Sequence, residues 1–404
     1  MTLDYELDAS CGAARLGTVT TARGSFTTPC FMPVGTRGAV RTLSSADLDA
    51  LGAEVVLGNT YHLMLRPGAE IIAKLGGLHG FAAWSGHVLT DSGGYQVFSL
   101  QPAVDDDGVT FASTYDGSRH RLTPEGAVDV QVQLGSDIQM VLDVCSALPS
   151  PRDVIADAVD RTALWASRAR TAFVAHGRPD LNQFGIVQGG VEPDLRVESA
   201  ERTVAVGFDG YAVGGLSVGE GRDVMLPALE AALTVLPADC PRYFMGLGDP
   251  LGLVDVVARG IDMFDCVLPT RLARHGTLLT SAGRLNLKNR RFADDAGPVD
   301  PTCGCVVCGR WSRGYLRHLL SVDEPTAGRL LTLHNVAWTL ARVDRIRAAT
   351  RAGTLADLRA EIADVWLPGA TTRPAEGASG EGPAGVIDPE MAGPAVAGAA
   401  VEAQ

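Results

Sequence analysis

Only two lysines, Lys74 and Lys288, occur in a chain of 404 residues; arginine carries nearly all of the positive charge. That imbalance fits a GC-rich bacterial genome. Paired cysteines are also missing. Cys11, Cys30, Cys145, Cys240 and Cys266 are scattered, which excludes a disulfide framework. The amino terminus, Met1-Thr-Leu-Asp-Tyr-Glu, lacks a basic stretch followed by an apolar run, so no signal peptide is expected. No apolar run is long enough to span a bilayer. These absences predict a cytoplasmic protein with no membrane partner. No G-x-G-x-x-G motif opens a first βαβ unit, which counts against a doubly wound dinucleotide fold.

What is present allows one large domain with additions. Hydrophobic residues make up 46% of the chain, enough for a sizeable core. The expected main domain covers 1–368. Beyond it the sequence turns to Ala, Gly, Pro and Glu, too poor in large apolar groups to offset its ordering entropy, so 369–404 is predicted to be a disordered tail. The net charge of −13 argues at first against a nucleic-acid partner, but its distribution does not. The tail holds Glu376, Glu381, Asp388, Glu390 and Glu402 against a single Arg373. No acid lies between Asp265 and Asp294, where Arg271, Arg274, Arg284, Lys288, Arg290 and Arg291 occur, and Arg310, Arg313 and Arg317 follow. A local basic face of this kind suits phosphate binding.

The remaining cysteines form C-x-C-x-x-C at Cys303, Cys305 and Cys308, and His334 follows 26 positions later in Thr-Leu-His-Asn. Three thiolates and one imidazole complete the tetrahedral shell that structural Zn²⁺ requires, and no position is left for water. Gly304 and Gly309 supply tight turns. The spacing predicts a zinc subdomain over 277–335, with His334 on a helix running through Leu330–Ala341.

Eight short apolar runs end in polar residues or glycine. They are Phe31–Val34, Val55–Leu57, Val88–Thr90, Ile138–Leu142, Gly185–Val187, Tyr211–Val213, Tyr243–Met245 and Met263–Phe264. Continuous apolar runs suit parallel strands buried on both faces. Helical patterns over Ala46–Leu51, Pro124–Leu134, Val154–Val174, Asp194–Val206, Asp223–Leu236 and Leu251–Arg259 lie between several of them. The expected fold is α/β, a TIM (β/α)8 barrel with an inserted zinc-binding subdomain. Such a barrel gathers the polar residues after its strands at one mouth. An open doubly wound sheet is the alternative. Residues 99–122 read as a hairpin.

Two carboxylates stand out at that mouth. Asp91 precedes Ser-Gly-Gly, which lets backbone approach a ligand closely. Asp265, between Phe264 and Cys266, is costly to bury unless paired or functional. Asp143 and Gln188 can hydrogen-bond the edge of a planar heterocycle, with Tyr95 and Met245 over its faces. Paired carboxylates at one pocket fit glycosidic chemistry, in which one attacks the anomeric carbon and the other handles the leaving-group proton. The neighbouring basic face makes a nucleoside within RNA a fitting glycoside.

The stretches Asn59-Thr-Tyr-His-Leu, Thr90-Asp-Ser-Gly-Gly-Tyr-Gln-Val-Phe, Gly185-Ile-Val-Gln-Gly-Gly, Tyr211-Ala-Val-Gly-Gly-Leu and Asp262-Met-Phe-Asp-Cys-Val-Leu-Pro-Thr-Arg, with the cysteine–histidine set, resemble the bacterial queuine tRNA-ribosyltransferases, also called tRNA-guanine transglycosylases. The resemblance runs from about Tyr5 to Leu367. It implies a homodimeric pentosyltransferase with one structural Zn²⁺ per subunit. Such an enzyme exchanges the wobble guanine of GUN-anticodon tRNAs (Asp, Asn, His, Tyr) for a 7-deazaguanine base.

By that resemblance Asp265 is the nucleophile and Asp91 the general acid/base. Ser92, Gly93, Gly94, Tyr95, Asp143 and Gln188 hold the base. Gly214, Gly215, Leu216, Glu220 and Met245 complete its pocket. Leu216 and Glu220 would meet an aminomethyl substituent, and Val34 and Leu57 the ribose. The tRNA would be held by Gly246, Leu247, Gly248, Asp249, Pro250, Leu251 and Gly252, and by Thr270, Arg271, Leu272, Ala273 and Arg274. Cys145 and Val218 resemble the side chains that close the bacterial pocket to the bulkier queuine, so 7-aminomethyl-7-deazaguanine (preQ1) is the expected base.

Val144, Leu251 and Thr114-Tyr115 depart from the family pattern; Val144 adjoins the base pocket. Rival readings are direct use of queuine, a catalytically silent tRNA-binding subunit, and the archaeal-type enzyme. The presence of both Asp91 and Asp265 opposes the silent subunit. The low-complexity tail is no substitute for the RNA-binding domain of the archaeal type.

Overall fold

All eight apolar runs become strands of one closed parallel barrel in the computed structural model, which describes residues 3–100 and 102–367. The strands are β1 (Cys30–Gly35), β2 (Val55–Gly58), β3 (His87–Thr90), β4 (Ile138–Met140), β5 (Asn182–Val187), β6 (Gly210–Val213), β7 (Arg242–Phe244) and β8 (Met263–Cys266). Each pairs with its neighbour in sequence, and β8 closes on β1 with Asp265 opposite Met32. Burial on both faces explains the unbroken apolar runs: every residue of β1, β5 and β6 is buried. The predicted helices are present with ends shifted by up to three residues; Pro124–Leu134 matches at both ends. There Thr123 accepts from Gly126 N–H at 3.1 Å, and Gly135 in the left-handed region closes the helix.

Three features differ from the sequence expectation. Residues 4–28 form a three-stranded antiparallel sheet, Asp4–Cys11, Ala14–Thr21 and Gly24–Thr28. It meets the N-terminal end of β8, where buried Asp262 accepts from Tyr5 Oη at 3.1 Å, Arg15 Nε at 3.0 Å and Arg242 N–H at 2.7 Å. This sheet therefore lies at the end of the barrel opposite the mouth. The 99–122 hairpin is instead a three-stranded sheet, Ala103–Asp105, Gly108–Ala112 and Arg119–Leu122. A subdomain boundary at 335 falls inside one helix, Pro325–Ala352. Residues of 277–335 also share an apolar core with the barrel's own helices: Leu278, Leu287 and Leu330 pack in one cluster with Leu48, Leu78 and Trp84. The predicted tail 369–404 lies outside the described residues. No helix among the described residues is long and apolar enough to cross a membrane.

Candidate active site and metal centre

The loops after the strands enclose a cavity of about 210 Å³ at the C-terminal mouth. Asp91, Ser92, Gly94, Tyr95, Asp143, Gln188, Gly214, Gly215, Leu216, Met245 and Asp265 all line it, as do Val34, Leu57, Cys145 and Val218. Residues spread over more than 230 positions of sequence thus meet in one place because they follow neighbouring strands.

Asp265 ends β8. Tyr243 Oη donates to its Oδ1 at 2.6 Å and Gly246 N–H donates to the same oxygen at 2.8 Å. Oδ2 receives no donor among the described residues. Loss of water raises the Asp265 pKa, and the Tyr243 and Gly246 hydrogen bonds oppose that rise.

Asp91 follows β3. Thr60 N–H donates to Oδ1 at 2.9 Å and Gly93 N–H at 3.1 Å; Gln96 Nε2 donates to Oδ2 at 3.2 Å, and Asn59 Nδ2 also bonds Oδ2. Desolvation outweighs these four bonds and raises the pKa to about 6. Both protonation states are therefore populated near neutrality.

Asp143 is buried, and burial raises its pKa to about 6, with a further push from the Asp91 charge. Gln188 Nε2 donates to Asp143 Oδ2 at 2.6 Å. Gly215, just past β6, has a φ of 66°, which favours glycine, and a Cβ there would sit 2.3 Å from Gln188 Oε1. Tyr95 lines the cavity and is 42% exposed.

Glu220 does not line the cavity but shapes it. Its carboxylate accepts from Ser217 N–H and from Val218 N–H, the latter at 3.0 Å. In a trans peptide the N–H and C=O point opposite ways, so holding Ser217 N–H turns the Leu216 carbonyl away from Glu220. Ser217 keeps a φ of 61°, rare for a residue with a side chain, and Glu220 braces it. Gly93 also stands back from the cavity; it caps the Gly94–Phe98 helix and orients Asp91.

Of the segments expected to hold tRNA, Leu247, Gly248, Pro250, Leu251, Gly252, Thr270 and Ala273 are buried. Asp249 caps the Pro250–Val257 helix through Gly252 N–H at 2.8 Å and pairs with Arg222. Gly246, Arg271, Leu272 and Arg274 remain at least partly exposed. Arg313, part of the predicted basic face, is paired with Asp295 at 3.0 Å. Val144 does not line the cavity and packs in a cluster with Phe111 and Trp165.

Sequence reading missed several supporting residues. Asn59 and Gln96 stood in quoted motifs, and Tyr243 opened a predicted strand, but nothing local marked them as partners of the carboxylates. Arg196 gave no signal at all. It is fully buried on the Pro193–Val206 helix and donates to the carbonyls of Gly190 (2.8 Å), Val187 (3.0 Å) and Gly214 (2.7 Å). Burial lowers its pKa to about 10, still charged at neutral pH, and it fixes the glycine-containing strand ends beside the cavity.

The cysteine–histidine set comes together as predicted. The ligand atoms of Cys303, Cys305, Cys308 and His334 lie within 4.8 Å of one another. The three Sγ atoms stand 3.9, 3.5 and 3.3 Å from His334 Nδ1. A tetrahedral zinc with ordinary bond lengths spaces sulfur and nitrogen by roughly 3.5 Å. His334 Nε2 and the Leu279 carbonyl share a hydrogen bond at 2.8 Å, which fixes the ring and leaves Nδ1 to the metal. The donor set fits a closed structural site.

A family model described as Queuine tRNA-ribosyltransferase matches residues 9–367. The queuine tRNA-ribosyltransferase of Solidesulfovibrio magneticus is 51% identical over 367 residues, covering 90% of this chain and 98% of that protein. That of Syntrophobacter fumaroxidans is 52% identical over 347 residues, covering 85% and 92%. That of Lysinibacillus sphaericus is 48% identical over 363 residues, covering 89% and 94%.

Proposed function

The chain belongs to the queuine tRNA-ribosyltransferase family, and from that premise we propose that it exchanges the wobble guanine of GUN-anticodon tRNAs for preQ1 by double displacement. The observation that carries the mechanism is the pair of differently prepared carboxylates, Asp265 and Asp91, on one cavity. Asp265 attacks C1′ of the ribose through Oδ2, while Tyr243 and Gly246 hold Oδ1. The C1′–N9 bond of guanine breaks and its electron pair stays with the departing base. Asp91 supplies the proton that neutralises that base. With guanine gone, Asp91 takes the corresponding proton from preQ1. The base nitrogen attacks C1′ and frees Asp265. A pKa of about 6 suits a group that must give a proton and take it back. Base exchange of radiolabelled guanine into an unmodified cognate tRNA tests the reading. No incorporation above a heat-killed control would overturn it.

Asp143 and Gln188 recognise the base edge, releasing their mutual bond as the base enters. Tyr95 and Met245 cover its faces. The Leu216 carbonyl accepts from the aminomethyl group, which Glu220 favours by the orientation described above. Cys145 and Val218 close the pocket beyond that group. Extra volume in a packed pocket costs on the order of 1–3 kcal/mol, or roughly tenfold to a hundredfold in kcat/KM. Steady-state kinetics with both bases and one tRNA should show that preference for preQ1 over queuine. Equal or better kcat/KM for queuine would show that Cys145 and Val218 leave the pocket open.

The metal is zinc, held by Cys303, Cys305, Cys308 and His334 in a structural role, and no step of catalysis passes through it. It ties the 303–308 knuckle to the Pro325–Ala352 helix. Elemental analysis of native protein should give one zinc per chain. Stripping it with a strong chelator should speed amide exchange in Thr277–Asn286 and around His334. Native protein without tightly held metal, or stripped protein with unchanged exchange, would contradict this.

A further inference from the structure

Beyond Asp91 and Asp265, the mouth carries an arginine–tyrosine cluster that the exchange reaction leaves unexplained. Arg37 follows β1, and Arg66 ends the Thr60–Leu65 helix that follows β2. Tyr115 sits in the turn of the three-stranded sheet that follows β3. Both guanidiniums gather on one ring: the Arg66 Cζ is 4.5 Å from the Tyr115 centroid and the Arg37 Cζ 5.6 Å. Both arginines are exposed. Neither has an ion-pair partner among the described residues. The nearby Asp116 is close enough to feel Arg66, but its Oδ1 accepts from Ser118 N–H at 3.1 Å and Ser118 Oγ at 2.6 Å.

The ring is held rigidly. Tyr115 Oη and His62 Nδ1 share a hydrogen bond at 2.9 Å, and His62 is buried. Next to it Tyr61 Oη meets Thr114 Oγ1 at 3.1 Å and accepts from Thr114 N–H at 3.1 Å. The same short helix begins at Asn59, a partner of Asp91. The cluster is thus fastened to the general acid/base by one continuous segment.

Placement decides what the cluster fits. Strands β8, β1, β2 and β3 are successive neighbours in the barrel. Arg271, Arg37, Arg66 and Tyr115 follow them in that order, so they form one arc along the mouth. Asp265 and Asp91 stand at the two ends of the same arc. Two guanidiniums on one ring, without ion-pair partners among the described residues, match a phosphodiester oxygen pair, as in recognition of single-stranded RNA. We propose that Arg37 and Arg66, braced by Tyr115, clamp a backbone phosphate of the anticodon loop on the Asp91 side of the mouth. The proposal rests on the exchange reading above.

Binding, measured separately from exchange, tests it. Full-length cognate tRNA and its anticodon stem-loop are titrated by fluorescence anisotropy at several salt concentrations. The double variant Arg37→Ala/Arg66→Ala should raise Kd roughly tenfold or more for both RNAs, the loss expected for charge-assisted hydrogen bonds. It should also flatten the log–log salt slope by about 0.7, the change expected for one single-strand phosphate. Tyr115→Ala should weaken binding through the released arginines, and Tyr115→Phe, which keeps the ring, should fall between it and wild type. Melting temperatures should stay near wild type, since both arginines are exposed. An unchanged slope overturns the clamp, and so does a loss seen with full-length tRNA but not with the stem-loop. Guanine exchange by the wild-type chain separates the two readings. Active enzyme with an unchanged slope in the double variant sinks the clamp alone, whereas a wild-type chain that binds no tRNA sinks both.

Discussion

Asp265→Asn should abolish the covalent enzyme–tRNA adduct that the wild-type chain leaves on a denaturing gel when tRNA is supplied without an incoming base. Base exchange should fall by a factor on the order of 10⁴ or more, the usual cost of removing a nucleophile. The physical case is local. An amide oxygen is a poor nucleophile, and Oδ2 is the position where nucleophilicity is needed. The fold has little reason to suffer. Asn can present its oxygen where Oδ1 now accepts from Tyr243 at 2.6 Å and Gly246 at 2.8 Å. Burial already disfavours the charged carboxylate, so removing the charge relieves desolvation. The variant should melt no lower than wild type and bind tRNA with similar affinity. An adduct at normal yield would exclude Asp265 as the nucleophile and leave the chemistry to another group on the cavity.

The same contrast between local pattern and distant partner explains what the sequence made legible. Strand cores were readable because burial on both faces forces unbroken apolar runs, as in Phe31–Val34 and Tyr211–Val213. Polar residues after those runs had to meet once the runs closed into a barrel. The metal set was readable because zinc imposes ligand type and spacing on a short segment. The N-terminal sheet was not anticipated. Its strand Asp4–Cys11 is largely exposed, so it offers little apolar signal. The supports of the site were hidden for another reason. Tyr243 reads as one more strand residue, and Arg196 as a polar position on a helix. Their roles come from a partner 22 residues away in one case and from the carbonyls of Val187, Gly190, Gly214 and Gly215 in the other. The 246–252 segment was assigned to tRNA as a block. Periodicity could not tell that Leu247 and Leu251 face the core while Gly246 faces the mouth.

Asp91→Asn should lose exchange by roughly 10²–10⁴-fold, the span of a general acid/base, while becoming more stable above about pH 6. The hydrogen-bond inventory supports the second half. Asn59 Oδ1 and Gln96 Oε1 are buried with no partner, while their amide nitrogens bond Asp91 Oδ2. Turning both amides over would present two acceptors to that position. Neutral Asp91 could then donate a proton to one of them, and the side-chain amide of an Asn could donate to both. Its oxygen would keep the Thr60 and Gly93 N–H bonds. The site is thus built to accommodate a donor at Oδ2, which is what a waiting general acid requires. The sign follows from the raised pKa. Between the ordinary value of 3.8 and about 6 the folded state binds more protons than the unfolded chain. Wild-type stability therefore declines as pH rises through that window and stays at the lower level above it. The variant has no such group. Its advantage in melting temperature should grow from pH 4 to about 6 and then level off. The width of that window sets an upper bound of about 3 kcal/mol, which partial exposure of Asp91 reduces to about 1–2 kcal/mol. Thermal melts of both proteins across pH 4–8, beside guanine exchange at each pH, test the two halves together. A pH-independent gap would mean that Asp91 carries no desolvation penalty, and exchange above about a tenth of the wild-type rate, well short of a general acid/base loss, would assign the proton transfers to another group.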